Sequence, residues 1–416
     1  MAGKTIFHID ANSAFLSWSA AARLYRGEAI DIREIPSIVG GDPKSRHGIV
    51  LAKSIPSKKY GIQTGETLFS ALTKCPTLFI VPPEYDIYVN CSNAMVEILK
   101  EYSPMVQRYS IDECFLDYTN MEKQHGEPIK VANEIREKIK KELGYTVNIG
   151  VSNNKLLAKM GSDLRKPDMV HSLYPEEMGE KMWPLPVGDL FMVGRKTMLK
   201  LYRINVKTIG DLANYNVNIL RDLFKSFGEV IWRFANGIDD SEVRSSNFID
   251  MKGMGNSTTI PFDVDNKREA YMVLLSLVET VAMRLRDSEN LCRLVAVSIR
   301  SNEFANYSRQ RKLGYATDAT SVIYSIAKEL FNESWKGEAI RHLGVRVSEL
   351  CSNEFYQTSF FQKDEEKLRS LDKTIDEIRL RYGTGAITRS VFLNSGIKAV
   401  TGGYSAEDYP PMSSIL

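Results

Sequence analysis

Cysteine is scarce in this chain and has no near partner. Five residues, Cys75, Cys91, Cys114, Cys292 and Cys351, are spread over 416 positions without a C-x-x-C pair. That pattern argues against a disulfide framework or a zinc knuckle and fits a reducing, intracellular compartment. Long apolar runs are missing too. None approaches the ~18 residues that span a bilayer, and nothing near the N-terminus resembles the apolar core of a signal peptide. The expectation is a soluble, cytoplasmic protein with no membrane partner. Charge of one sign is also lacking: 54 Lys plus Arg against 52 Asp plus Glu leave a formal net charge of +2. No global basic field announces a polyanion, so any basic surface has to be local.

What is present is ordinary globular material, 43% hydrophobic and 25% charged, in a chain long enough for two to four domains. "TIFHIDANSAFLSWSAAARL" reads as a short apolar strand ending at Asp10, followed by an Ala-rich helix from Asn12 or Ser13. A stretch rich in Gly, Pro, Ser and Lys runs on to residue 83 and reads as a small irregular subdomain. After a helix near 84 to 101, "MVQRYSIDECFLDYT" reads as two short strands or one bent strand. "PIKVANEIREKIKKELG" is an amphipathic helix, with Ile129, Ala132, Ile135, Ile139 and Leu143 at spacings of three and four, Pro128 in the first turn and Gly144 at the C-terminal cap. Alternating Val147, Ile149 and Val151 follow as a half-buried strand. The order strand, helix, strand, strand, helix, strand is the ferredoxin-like split β-α-β arrangement.

From 176 to 243 the pattern is helical with short loops, and 244 to 252 reads as a linker. Residues 253 to 350 form an α+β unit with strands in "RLVAVSIRS" and "IRHLGVRVSEL" and helices over Lys267 to Arg286 and Ala319 to Phe331. The remaining tail is polar and mixed, and reads as partly ordered.

"YSIDECFLDY", Tyr109 to Tyr118, places two carboxylates inside an apolar, aromatic run. Adjacent residues of a flat strand point to opposite faces, so Asp112 and Glu113 can share one site only where the chain bends, as at a hairpin edge. Asp10, Asp112 and Glu113 could then converge across neighbouring strands. Such a like-charge cluster is unfavourable unless cations neutralise it, and hard oxygen ligands of this kind suit Mg²⁺ beside substrate phosphates. A turn or a solvated edge is the plainer reading of an Asp-Glu pair.

Together, "FHIDANSAF", "YSIDECFLDY" and "VNIGVSNNKLLAKMGSDLRKP" resemble, in order and spacing, the three palm motifs of Y-family (translesion, UmuC/DinB-like) DNA polymerases. The resemblance runs over roughly residues 4 to 350. It implies an α+β multidomain fold: a ferredoxin-like palm (1–16 and 84–175), small fingers (17–83), a helical helix-hairpin-helix thumb (176–243) and an α+β little finger (253–350), with a C-terminal tail over 351–416. It also implies error-prone, template-directed nucleotidyl transfer to a primer 3′-hydroxyl opposite damaged template, using two Mg²⁺ ions, dNTP and primer-template DNA. Asp10, Asp112 and Glu113 would be the catalytic metal ligands, joined by the main-chain carbonyl of Ala11. Phe15 falls at the steric gate under the incoming sugar; without the family it reads as a core aromatic on an amphipathic helix. Lys159, one turn beyond Lys155, matches the triphosphate-binding lysine.

The fingers depart from the family. In place of a Y-x-A-R element before "KYGI" stand Ile55, Pro56, Ser57 and Lys58. Lysine keeps the charge and loses the planar fork, so Lys58 is the positional candidate, with Lys53 and Arg46 as substitutes. In the thumb, "PVGDLFMVGRKTMLKLYRINVKTIGDLANY" resembles a helix-hairpin-helix whose usual G-x-G is reduced to Met192, Val193 and Gly194. Arg195, Lys196, Lys200, Arg203 and Lys207 make this the local basic surface, with Gly194, Arg195 and Lys196 nearest the turn. In the little finger Arg300, Arg309, Arg311, Lys312, Arg341 and Arg346 are candidate phosphate contacts.

"YQTSFFQ" resembles the bacterial sliding-clamp-binding peptide, with Gln357, Phe360 and Phe361 as its anchors. Aromatics packing back on the little finger is the alternative. Downstream, Leu368, Leu371, Ile375 and Ile378 recur at helical spacing. Two rival functions remain open on the residues alone: a non-catalytic DNA-binding scaffold with altered fingers, and a nucleotide cyclase on a palm-like core. The expected state is a monomer.

Overall fold

The computed structural model describes residues 3–41, 48–244, 251–354, 365–393 and 395–400. Among these, 3–40 and 50–244 form one compact unit and 251–400 a second.

The first unit begins with β1 (Ile6–Ala11), buried along its whole length, and α1 (Ala14–Tyr25). The chain then builds a small three-stranded sheet from β2 (Ser37–Gly40), β3 (Val50–Lys53) and β4 (Phe79–Val81), with α2 (Ile55–Lys59) and α3 (Leu68–Lys74) between the last two. Ile38, Val50, Ile62, Leu68, Ala71 and Leu78 give these fingers a core of their own. The chain returns through α4 (Tyr85–Lys100), β5 (Val106–Arg108), β6 (Glu113–Asp117), α5 (Glu122–His125), α6 (Pro128–Leu143), β7 (Val147–Ser152), α7 (Lys155–Asp163) and β8 (Val170–Ser172).

The palm sheet has the order β5-β6-β1-β7-β8, with β1 antiparallel to both neighbours. Its first four strands carry the ferredoxin-like arrangement expected from the element order. The local signals hold in detail at α6. The Glu127 side chain accepts from the N–H groups of Ile129 and Lys130, Pro128 opens the first turn, and Gly144 at φ 73° returns its N–H to the Lys140 carbonyl. Val131, Ala132, Ile135 and Ile139 are its buried stripe. Between β5 and β6 the chain bends, with the N–H groups of Tyr109 and Ser110 both donating to the Glu113 carbonyl.

Short helices α8 (Met178–Lys181), α9 (Arg195–Arg203), α10 (Ile209–Ala213), α11 (Val217–Phe224) and α12 (Ser226–Ala235) make the thumb around Leu201, Ile209, Leu212, Leu220 and Ile231.

In the second unit, β9 (Gly253–Val264), α13 (Lys267–Asp287), β10 (Asn290–Ser301), β11 (Asn306–Thr317), α14 (Thr320–Ser334) and β12 (Ile340–Ser352) give an antiparallel sheet of order β11-β10-β12-β9. Val295, Val297, Ile299, Leu343, Val345 and Val347 pack with α13 and α14 in one core. The edge strands β9 and β11 are half solvated and carry few apolar residues, so their sequence lacks the alternation that marks β10 and β12.

The tail adds a helix whose docking the spacing alone does not fix. Residues Glu365–Tyr382 form α15, the helix that the spacing of Leu368, Leu371, Ile375 and Ile378 suggests; Leu368, Ile375 and Ile378 are half-buried, and charged residues sit at the centre of its buried face. Leu371 and Leu380 are 56% and 53% exposed, while Asp372, Asp376 and Arg379 are buried. The reason lies on the receiving surface. Arg286 Nε donates to Asp376 (2.6 Å), Arg369 pairs with the fully buried Asp318 (2.7 Å), and Glu279 accepts from Arg379 (2.6 Å) and Arg389. Buried charges are tolerable only when matched, so the helix presents the face that matches them.

Candidate active site

Asp10 is the last acid of β1 and lies directly opposite Glu113, the first residue of β6. Asp112 precedes β6 in the bend, tethered by the Ser110 hydroxyl, which donates to its Oδ1 (2.5 Å). The Ala11 N–H donates to the Asp112 carbonyl (3.0 Å), fixing the bend against β1. The bend is what lets neighbouring acids share one site. Asp10, Ala11, Asp112 and Glu113 all line a cavity of about 360 Å³, together with Ser13, Phe15, Lys53, Lys58 and Lys166.

Countercharge is built into the protein. Lys166 Nζ donates to Asp10 Oδ2 (2.7 Å) and also pairs with Asp163 (2.8 Å). Burial pushes the Asp10 carboxyl above the ordinary range, against the pull of Lys166. Glu113 Oε2 accepts from His8 Nε2 (3.1 Å) and from Lys159 Nζ. Burial alone would raise Glu113, yet the contacts of His8 and then Lys159 outweigh it and hold the carboxyl at about 2.

Among the described residues no group of three or more His, Cys, Asp or Glu side chains stands ready to hold a metal ion. Two of the three acids are each engaged by an ammonium. The donor set still fits a hard divalent cation: carboxylates on one cavity, a backbone carbonyl beside them, and cationic side chains already placed where positive charge is needed.

Lys159 is not among the residues that line this cavity. It is 8% exposed, its ammonium is spent on Glu113, and it is caged against the rings of Tyr109 (5.3 Å) and Phe191 (5.5 Å). A cation that does line it is Lys166, seven residues on, which sequence reasoning passed over although it stands in "DLRKP". Lys58 lines the cavity as expected. Lys53 does too, but its ammonium donates to the Ile62 carbonyl (2.5 Å), and burial, then Lys58, holds its pKa down. Arg46 lies outside the described residues.

Phe15 lines the cavity and stacks on Tyr88 with ring centroids 4.5 Å apart. Before it, Ser13 takes a left-handed φ of 49° and its hydroxyl does not cap α1, so no side chain of Ser13 blocks the positive end of the helix where it meets the cavity.

Two models of the impB/mucB/samB family match the chain, the first over residues 9–163 and its C-terminal domain over 251–360. A DNA polymerase IV of Clostridium acetobutylicum is 50% identical over 94% of this chain and 98% of its own length. The chain belongs to this family of Y-family DNA polymerases. A DNA polymerase IV of Acetivibrio thermocellus is 40% identical over 94% of this chain and 98% of its own. In fold, the chain resembles a Y-family DNA polymerase chimera of Dbh and Dpo4 at a TM-score of 0.72 and 20% identity, over 84% of this chain and all of that one.

The basic residues expected at DNA phosphates lie in the thumb and little finger. In the thumb, Gly194 is the N-cap of α9, and Arg195 and Lys196 are its first, exposed residues. Met192 adopts φ 73°, the left-handed conformation that a glycine at this place in the family's turn takes freely.

In the little finger, register sorts the arginines. Arg309 stands opposite Val297 and Arg311 opposite Val295, so both lie on the face covered by helices. There Arg311 pairs with Glu329 and Glu333 of α14, and Arg309 with Glu333. Arg309 stays exposed and its pair with Glu333 is long (3.6 Å), whereas Arg311 is held by two carboxylates. Arg300 and Arg346 lie on the opposite, open face, across from His342 and Ala296 respectively. Lys312 shares that face but pairs with Glu349 (2.7 Å), and Arg341 covers the Phe304 ring (5.1 Å). Gln357, Phe360 and Phe361 lie outside the described residues. Among the described residues no helix is long and apolar enough to cross a membrane.

Proposed function

We propose that this translesion DNA polymerase joins a dNTP to a primer 3′-hydroxyl at the cavity of Asp10, Asp112 and Glu113, opposite damaged template. The observation that carries the reading is the meeting of these three acids, from sequence positions a hundred residues apart, on one cavity with Phe15, Lys58 and Lys166. Two Mg²⁺ ions, held by Asp10, Asp112, Glu113 and the Ala11 carbonyl, would activate the hydroxyl and neutralise the triphosphate. Lys58, Lys166 and the open end of α1 supply positive charge for the phosphates from the protein side. Phe15, braced by Tyr88, fills the space that a 2′-hydroxyl would need. Arg300, Arg346 and the start of α9 are placed to take DNA phosphates without reading bases. The reading has a single chain working in the cytoplasm, recruited by a sliding clamp through Gln357, Phe360 and Phe361.

Primer extension with Mg²⁺ on damaged and undamaged templates tests this. Asp112→Ala should lose ~10²–10³-fold or more of the rate, the scale of removing one electrostatic partner of a transition state. No incorporation by the parent chain would favour the DNA-binding scaffold, and pyrophosphate release without primer or template would favour the cyclase. Deleting residues 356–362 should leave distributive synthesis intact and remove stimulation by the clamp.

A further inference from the structure

β1 is buried on both faces, and a histidine in its middle needs partners. His8 is fully buried and lies two residues from Asp10, hence on the same face of the strand. Its Nδ1 is 2.8 Å from the Ser162 hydroxyl, and that hydroxyl donates its own hydrogen to the Lys159 carbonyl (2.7 Å). An ionised carboxylate can only accept, so Nε2 is the ring nitrogen that donates toward Glu113, while the Ser162 hydroxyl fixes the other edge of the ring.

His8 and Lys159 meet the same oxygen of Glu113, Oε2. No hydrogen bond or ion pair engages Oε1 among the described residues. The helix that carries Ser162 and Lys159 is itself pressed onto the sheet. A Cβ at Gly150, the β7 residue paired with His8, would stand 1.9 Å from the Ala158 carbonyl oxygen and 2.4 Å from the Ser162 nitrogen. His8, Ser162, Lys159 and Glu113 thus close a circuit across β1, α7 and β6.

We infer that His8 is a positioning residue for the reaction: anchored by Ser162, it holds Oε2 of Glu113 from behind and so presents Oε1 to the cavity. This rests on the reading of Glu113 as a metal-binding carboxylate. His8 touches neither cavity nor substrate, and its effect is exerted through Glu113. Groups that hold a metal-binding carboxylate from outside typically matter 10–100-fold in metal affinity or activity.

The test compares His8→Phe, which keeps a ring and removes both ring nitrogens, with His8→Gln, which keeps an amide donor. For single-nucleotide insertion, kcat of His8→Phe should fall ~10–100-fold while KM for dNTP moves less than about threefold. Calorimetric titration with Mg²⁺ alone should show weakened binding by about tenfold. His8→Gln should recover most of both losses. Ser162→Ala, which frees the ring, should shift both readouts the same way by ~3–10-fold, and decides the matter if His8→Phe does not fold. Unchanged kcat and Mg²⁺ binding in His8→Phe, or in Ser162→Ala should it alone fold, overturn the inference, as does a His8→Gln no better than His8→Phe. Glu113→Gln is the control. Full activity there brings down the reading of the site itself, whereas an inactive Glu113→Gln beside an active His8→Phe brings down only the role of His8.

Discussion

Glu113 is held by two donors on one oxygen, which sets its acid behaviour. Its folded pKa, about 2, lies below the ordinary 4.5. The stabilisation is therefore fully present above about pH 4.5 and is lost as pH falls toward 2, a difference on the order of 3 kcal/mol. In metal-free buffer the urea midpoint should drop as pH falls from about 4.5 toward 2, and Glu113→Gln should flatten that drop while lowering the midpoint at neutral pH. An unchanged pH profile in the variant would show that the carboxylate is not held as described. Phe15 lies on the same cavity wall with a different task. Phe15→Ala should admit ribonucleotides, because the barrier is steric. Loss of the Tyr88 stack should also cost about 1–3 kcal/mol, less than for a fully buried Phe, read from thermal melts beside an incorporation assay.

At the scale of elements, two packings decide where charge goes. The first is α7 on β7, where Gly150 admits the helix backbone. Gly150→Ala should cost about 3 kcal/mol by overpacking, and should lower polymerisation as well because Lys159 and Ser162 move with the helix. A melt and an extension assay on the variant check both. The second is β11 against α14. Arg309 and Arg311 look like polyanion contacts on paper, yet strand alternation turns them toward Glu329 and Glu333. Arg346, on the open face, makes no ion pair among the described residues. Arg346→Ala should therefore weaken DNA binding and reduce the salt slope by about 1. Arg311→Ala should leave the slope nearly unchanged, by fluorescence anisotropy across a salt series.

For the whole molecule, the division into two compact units means that unfolding need not be one transition. The second unit depends on its charged seam with α15. Glu279 is 3% exposed and accepts from Arg379, itself 2% exposed. Glu279→Ala would leave the buried Arg379 with the Ile387 carbonyl but without its carboxylate, an uncompensated charge costing about 3–5 kcal/mol. Calorimetry should show a lowered transition for the second unit with the first unmoved. A uniform shift of both would contradict the independence of the two.

From sequence alone came the family likeness, the ferredoxin-like element order, the caps of α6 at Pro128 and Gly144, and the three acids, because periodicity, caps and short motifs are local properties of the chain. Tertiary structure alone decided which ammonium meets which carboxylate. Lys159 finds Glu113 across 46 positions and Lys166 finds Asp10 across 156, pairings fixed by register and helix packing rather than by spacing. The same holds for α15, whose apolar spacing suggested a helix and whose receiving surface, with Glu279, Arg286 and Asp318, put Asp372, Asp376 and Arg379 at the centre of its buried side. Burying an unmatched charge costs more than leaving two leucines in water, and only the folded partner surface reveals which charges need matching.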